Sequence, residues 1–153
     1  MPWLRALRVY LAVTAAGNLL WETAQLPLYT IWQSGNPREI AFAVLHCTGG
    51  DLVIAAGALV TALALAGRRG WPFQAFPPVA VLTLTFGMTY TVYSEWLNTT
   101  VRMTWAYSKL MPIVPILHVG LSPFLQWIAI PTAALTIAQR HHGAARRGCI
   151  SID

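Results

Sequence analysis

Residues 40–66 read IAFAVLHCTGGDLVIAAGALVTALALA, from Ile40 to Ala66, and Asp51 is the one Asp, Glu, Lys or Arg in the run. About 20 helical residues cross the hydrocarbon core of a bilayer. The run therefore predicts a membrane-spanning helix with an acid near its middle. Working outward, three more apolar runs reach that length: Arg8 to Trp32, Gln74 to Leu97 and Ile113 to Gln139. Short polar or glycine-proline connections separate them, at Asn36-Pro37 and at Gly67-Arg68-Arg69-Gly70-Trp71-Pro72. The predicted fold class is all-α, a polytopic membrane protein. Its predicted architecture is an antiparallel up-down-up-down bundle of four transmembrane helices over residues 1–139. Residues 140–153 are expected to form a basic cytoplasmic tail.

Composition agrees. Of the 153 residues, 56% are hydrophobic and 10% charged, whereas soluble domains carry about 25% charged residues. Such a chain has too little polar surface for a soluble enzyme and too much hydrophobicity for disorder. The net charge of +5 comes from basic residues at the segment ends. No basic stripe interleaved with aromatics exists, so nucleic acid is not an expected partner and the lipid bilayer is. Arg5, Arg8, Arg68, Arg69, Arg140, Arg146 and Arg147 belong to the termini and the second connection, against Arg38, Arg102 and Lys109 elsewhere. By the positive-inside rule both termini face the cytoplasm of a bacterial inner membrane. Thr14-Ala15-Ala16-Gly17 looks like a signal cleavage site, but the apolar run continues past it. Cys47 and Cys149 fall in different segments, which argues against a disulfide between them.

Pro115, Pro123 and Pro131 recur every eight residues along the expected fourth helix and should bend it. Glu22, Asp51 and Glu95 are three of the chain's five acids, and all fall inside spans. Ionisable groups are costly in a bilayer and usually face the bundle interior. Helical spacing lets them meet. Thr14, Asn18, Glu22, Gln25 and Tyr29 form one stripe, and Cys47 shares a face with Asp51. Gly87, Thr91, Glu95 and Asn98 form another stripe, and His118, Ser122, Gln126 and Ala129 a fourth. Asn18, Gln25, Asn98, Ser122 and Gln126 are thus expected to line a polar cavity in the periplasmic half. Arg102, Trp105 and Tyr107 of the third connection are its expected lid, the alternative being interfacial anchoring of the aromatics.

Several chemistries suit this gathering. Glu22, His46, Glu95 and His118 form a candidate ligand set for Zn, Fe or Mn, although the Glu-x-x-His pairing of di-iron bundles is missing. Haem between His46 and His118 is a weaker option, since Glu22 and Asp51 would sit beside the porphyrin. Met103 and Met111 are soft donors without a Met-rich repeat. A desolvated carboxyl favours its protonated form, so Glu22, Asp51 or Glu95 is a candidate catalytic acid for a lipid-soluble substrate. Intramembrane carboxylates also serve transport, for which four helices would need a homodimer. In the plainest alternative the polar groups are interhelical glue within an accessory subunit of a larger membrane complex, with Glu22 bonded to Asn98 or Asp51 to Gln126.

Asn18-Leu19-Leu20-Trp21-Glu22 resembles the Asn-x-x-Trp-Glu stretch of the integral-membrane terpene cyclases. The resemblance covers five residues and implies acid chemistry on an isoprenoid, with Glu22 as the acid. Trp21-Glu22-x-x-Gln25-Leu26-Pro27-Leu28-Tyr29, His46-Cys47-x-Gly49-Gly50-Asp51 and Gly120-Leu121-Ser122-Pro123-x-x-Gln126-Trp127 together resemble small four-span proteins of bacterial inner membranes. That likeness implies the four-span fold and supplies no activity.

Overall fold

The computed structural model describes the backbone of residues 2–148 and the side chains of residues 3–140. The chain is mostly helical. Helix α1 spans Pro2–Gln25 and gives way to a 3-10 turn over Leu26–Leu28. Pro27 explains the early stop, because proline lacks the amide and clashes with the preceding turn. A short helix α2, Ile31–Ser34, leads into α3, Pro37–Ala66. Helix α3 starts with a capping box. Asn36 Oδ1 accepts from the backbone amides of Arg38 and Glu39 at 3.0 Å, and Glu39 Oε2 accepts from the Asn36 amide at 2.9 Å. Helix α4, Phe76–Trp96, runs on into a π-helical stretch over Leu97–Val101. A small antiparallel hairpin, β1 (Ile113–Val114) with β2 (Val119–Gly120), precedes α5, Leu121–Gly148.

Among the described residues, the four long helices pack in a closed ring: α1 on α3, α3 on α4, α4 on α5, and α5 on α1. Successive helices run in opposite directions, since the C-terminal ends of α1 and α4 meet the start of α5 through Trp21, Glu95 and Tyr107. The other end is an apolar plug. Tyr10, Leu59, Val79 and Leu135 are its largest fully buried apolar side chains, and Ala6, Ala55, Ala58, Ala62, Ala134 and Ala138 let the backbones approach. The four buried residues of α3 all lie from Ala55 onward, and Ala55, Leu59 and Ala62 join the core cluster of this plug. Its first half, residues 37–54, has no fully buried side chain and stands off from its neighbours.

Polar residues are also buried, toward the end of the bundle where α5 begins, beneath exposed apolar ones. Thr14, Asn18, Glu22, Gln25, Glu95 and Gln126 are buried, while Leu20 and Val53 are 73% exposed and Phe42 68%. Two helices, Pro37–Ala66 and the Leu121–Arg140 part of α5, are long and apolar enough to cross a membrane. The polar residues buried along α1 and α4 dilute those helices' apolar character, so four spans do not stand out by length and composition alone.

Several boundaries differ from the sequence expectation. The fourth helix begins at Leu121 rather than at Ile113, because Pro112 and Pro115 each disfavour helix in the residue before them. Pro115 therefore sits in the hairpin turn, Pro123 in the first helical turn, and only Pro131 inside the helix. The buried face of α5 follows Pro123, Gln126, Trp127, Pro131 and Ala134, which turns Ala129 outward. The backbone of α5 continues through residues expected to be tail; the side chains of Arg146 and Arg147, and all of Cys149, lie outside the described residues.

Gly87 is where α4 and α5 approach most demandingly: a Cβ there would overlap the Trp127 ring. Gly87→Ala should lower stability by about 1–3 kcal/mol, the usual cost of overpacking, as read from thermal unfolding in detergent. Gly57→Ala, where a Cβ meets nothing within 4 Å, should leave the midpoint unchanged or raise it.

Candidate functional site

A cavity of about 1000 Å³ lies between the free half of α3 and the facing surfaces of α1 and α4, floored by Gln126 and Trp127 of α5. Glu22, Asp51 and Glu95 reach it from α1, α3 and α4. Aromatic rings of Tyr29, Tyr90, Trp105 and Trp127 share the wall, and Phe42, Leu45 and Val53 form an apolar rim. Gly49 and Gly50 border it with no heavy atom near a would-be Cβ, so no packing contact requires glycine at either position.

Gln126 organises the floor. Its side-chain nitrogen lies 3.0 Å from Asn18 Oδ1, 3.0 Å from Glu22 Oε1 and 2.9 Å from Asp51 Oδ2. An amide has two hydrogens, so three acceptors compete for two donors. Gln25 closes the circuit, donating to Glu22 Oε1 at 2.8 Å and to Gln126 Oε1 at 3.4 Å. Ser122 then donates to Gln25 Oε1 at 2.8 Å and accepts from the Trp21 indole at 3.1 Å. Glu22 and Asp51 are thereby held side by side on one amide. Among the described residues no Arg, Lys or His forms an ion pair with Glu22, Asp51 or Glu95.

Glu95 belongs to a second, shallower arrangement. The Tyr107 hydroxyl donates to Glu95 Oε2 and accepts from the Gly120 amide at 2.9 Å. Burial, reinforced by Glu95, holds the Tyr107 phenol well above the usual tyrosine value, so it remains a donor. The segment around Tyr107 is also strapped to the turn after α1. Thr30 donates its amide to Ala106 O at 3.0 Å, Ser108 donates its amide to Leu28 O at 2.9 Å, and the Tyr29 and Tyr107 rings sit 5.5 Å apart. Trp105 lies near Glu95, yet its indole Nε1 is buried without completing a hydrogen bond.

The three candidate acids therefore share one cavity. Gln25, Asn98 and Gln126 line it, while Asn18 and Ser122 lie behind the wall as hydrogen-bond partners. Of the expected lid, Arg102 and Trp105 line the cavity, and Tyr107 acts from behind through Glu95. Asp51 does bond Gln126, but Asn98 bonds Ser94 and Thr104 rather than Glu22.

The candidate metal set of Glu22, His46, Glu95 and His118 is not brought together. Among the described residues no group of three or more His, Cys, Asp or Glu is placed to hold a metal. His118 sits at φ 53° in the hairpin turn, outside the helix that would have aimed it inward, and is exposed. His46 is exposed at the cavity edge and stacks on Phe42 at 5.5 Å. Cys47 lines the cavity as a free thiol. Trp127 and Thr91 were not singled out as site residues. Trp127 adjoins Gln126 in the chain, and Thr91 lies one turn before Glu95 on the same face, which was the available signal.

Gln126→Leu removes up to three simultaneous hydrogen bonds to two other helices, α1 and α3. At about 0.6 kcal/mol for each interhelical bond, stability should fall by about 2 kcal/mol in a denaturation titration. Tyr107→Phe should cost about 1 kcal/mol and speed amide exchange at residues 104–108 and Gly120, leaving helix content intact. Comparison with the profiles of known protein families, with curated proteins and with solved structures finds no match to this chain.

Proposed function

We propose that the chain is an integral protein of a bacterial inner membrane whose carboxyl-lined cavity takes up a lipid-soluble ligand and exchanges a proton with it. The observation that carries this reading is the convergence of Glu22, Asp51 and Glu95 on one cavity without a cationic partner. Carboxyls placed side by side can hold one proton between them, as general-acid sites do. The apolar rim and aromatic wall suit a ligand that arrives from lipid.

Four membrane crossings are part of the same proposal. Buried polar groups beneath an outward shell of leucine, valine and phenylalanine support it. Both termini then face the cytoplasm and the cavity faces the periplasm, as the distribution of basic residues favours. Acid chemistry on an isoprenoid, with Glu22 as the acid, is a narrower form of the same reading. A second reading takes the Gln126 network as glue in an accessory subunit, and the contacts of that amide with both α1 and α3 favour it. Glu95 stands outside that network and separates the two.

Alkaline-phosphatase fusions at Asn36 and Trp105 should be active, and fusions at Arg69 inactive; equal activity at all three would remove the four-span arrangement. Native mass spectrometry of protein extracted with its own lipids should detect a small apolar ligand on the wild type. Asp51→Asn and Glu95→Gln should lose it while keeping their fold. If both variants carry the same adducts as wild type, or if no adduct is found and the protein runs only in a larger complex, the glue reading takes over.

A further inference from the structure

The chemistry of the cavity goes further than a generic lipid-soluble ligand. Three carboxyls border it, and Glu39 adds a fourth at the rim. Against them stands Arg102, exposed in the connecting segment and paired with none of the three inner acids. Burial favours the protonated form of such carboxyls, and an ammonium beside them favours the ionised form, so a basic occupant can take up the shared proton and pair with the carboxylate it leaves.

A second observation is independent of the acids. Thr91 is 7% exposed and lines the cavity one helical turn before Glu95. Its Oγ1 has no hydrogen-bond partner, unlike Thr83 and Thr89 of the same helix, which both donate back to the carbonyl four residues earlier. Thr14 and Thr48 also carry open buried hydroxyls, but of the three only Thr91 borders the cavity, where a ligand could supply a partner. An N–H group between Glu95 and Thr91 would satisfy both. Tyr29, Trp105 and Trp127 also line the cavity, and aromatic rings attract cations through their quadrupoles. Phe42, Leu45 and Val53 continue the wall outward as exposed apolar surface, where a hydrocarbon tail would lie.

We infer that the ligand is a lipid-soluble amine, bound as its ammonium among Glu22, Asp51, Glu95 and Thr91 with its apolar part along the α3 rim. This rests on the reading of the cavity as a site for a lipid-soluble ligand. A metal ion fits less well, because among the described residues no three His, Cys, Asp or Glu side chains are placed to share one ion, and the remaining wall is aromatic.

The test uses the full chain in lipid nanodiscs and three probes of one shape: 4-phenylbutylamine, 4-phenylbutan-1-ol and 4-phenylbutanoate. Binding is followed by fluorescence of the wall tryptophans and by calorimetry. The amine should bind about tenfold tighter than the alcohol, and Asp51→Asn or Glu95→Gln should each remove about tenfold of that affinity. Thr91→Val should weaken the amine about threefold, and Thr91→Ser should restore it. Unchanged thermal midpoints establish that the variants are folded. If the alcohol binds as tightly as the amine, the amine inference falls and the lipid-soluble-ligand reading stands. Preference for the carboxylate, lost in Arg102→Gln, overturns the inference in favour of an anionic ligand. If no probe binds the folded wild type, both the inference and the underlying reading fail.

Discussion

A single side-chain amide, that of Gln126, sits where two helices, α1 and α3, present oxygen to a third. Asn18, Glu22 and Asp51 all reach its nitrogen, and Gln25 reaches its oxygen. None of these groups could be buried alone without a substantial desolvation cost. Together they fix the rotation of α1, α3 and α5 about their axes, since only one setting of each helix brings its polar residue to the same point. The apolar plug at the opposite end adds one directional contact, Tyr10 donating to Ala55 O at 3.3 Å, among alanines and leucines that constrain rotation less sharply. Rotational specificity thus comes mostly from the polar end and adhesion from the apolar end.

The cavity follows from this division. Close packing in α3 stops at Ala55, and above it Asp51 is the inward tether to the Gln126 network. The chain closes the upper end by another route. It straps the segment around Tyr107 to the turn after α1 and hangs Glu95 and Gly120 from one phenol. The connecting segment is therefore part of the site's frame, and its conformation follows from hydrogen bonds to three elements.

What was legible in the sequence was mostly rotational phase. The stripe of Thr14, Asn18, Glu22 and Gln25, and that of Gly87, Thr91 and Glu95, appear on the buried faces, because a 3.6-residue period encodes which residues share a side. Phase fails where a helix is not where it was assumed to be. Starting α5 at Ile113 carried His118 onto an inward face, whereas Pro112 and Pro115 keep that stretch out of a helix and leave the histidine in a turn. Tyr29 shows the same limit, since Pro27 ends α1 before it. Partner choice was less visible still. Asp51 finding Gln126, and Tyr107 finding Glu95, depend on axial offsets between helices and on the path of the connecting segment, which local periodicity does not record.

The uneven fastening of α3 has a mechanical consequence. Residues 37–54 form an arm of roughly 27 Å at 1.5 Å per residue, clamped at its base and tied along its length chiefly through one amide. Its tip is also held, because Gly35 and Asn36 join it to α2, which packs on it. A beam fixed at both ends yields most at its middle. On α3 that middle carries Cys47, Gly49 and Gly50 along the cavity wall, so flexing there changes the width of the cavity more than its length.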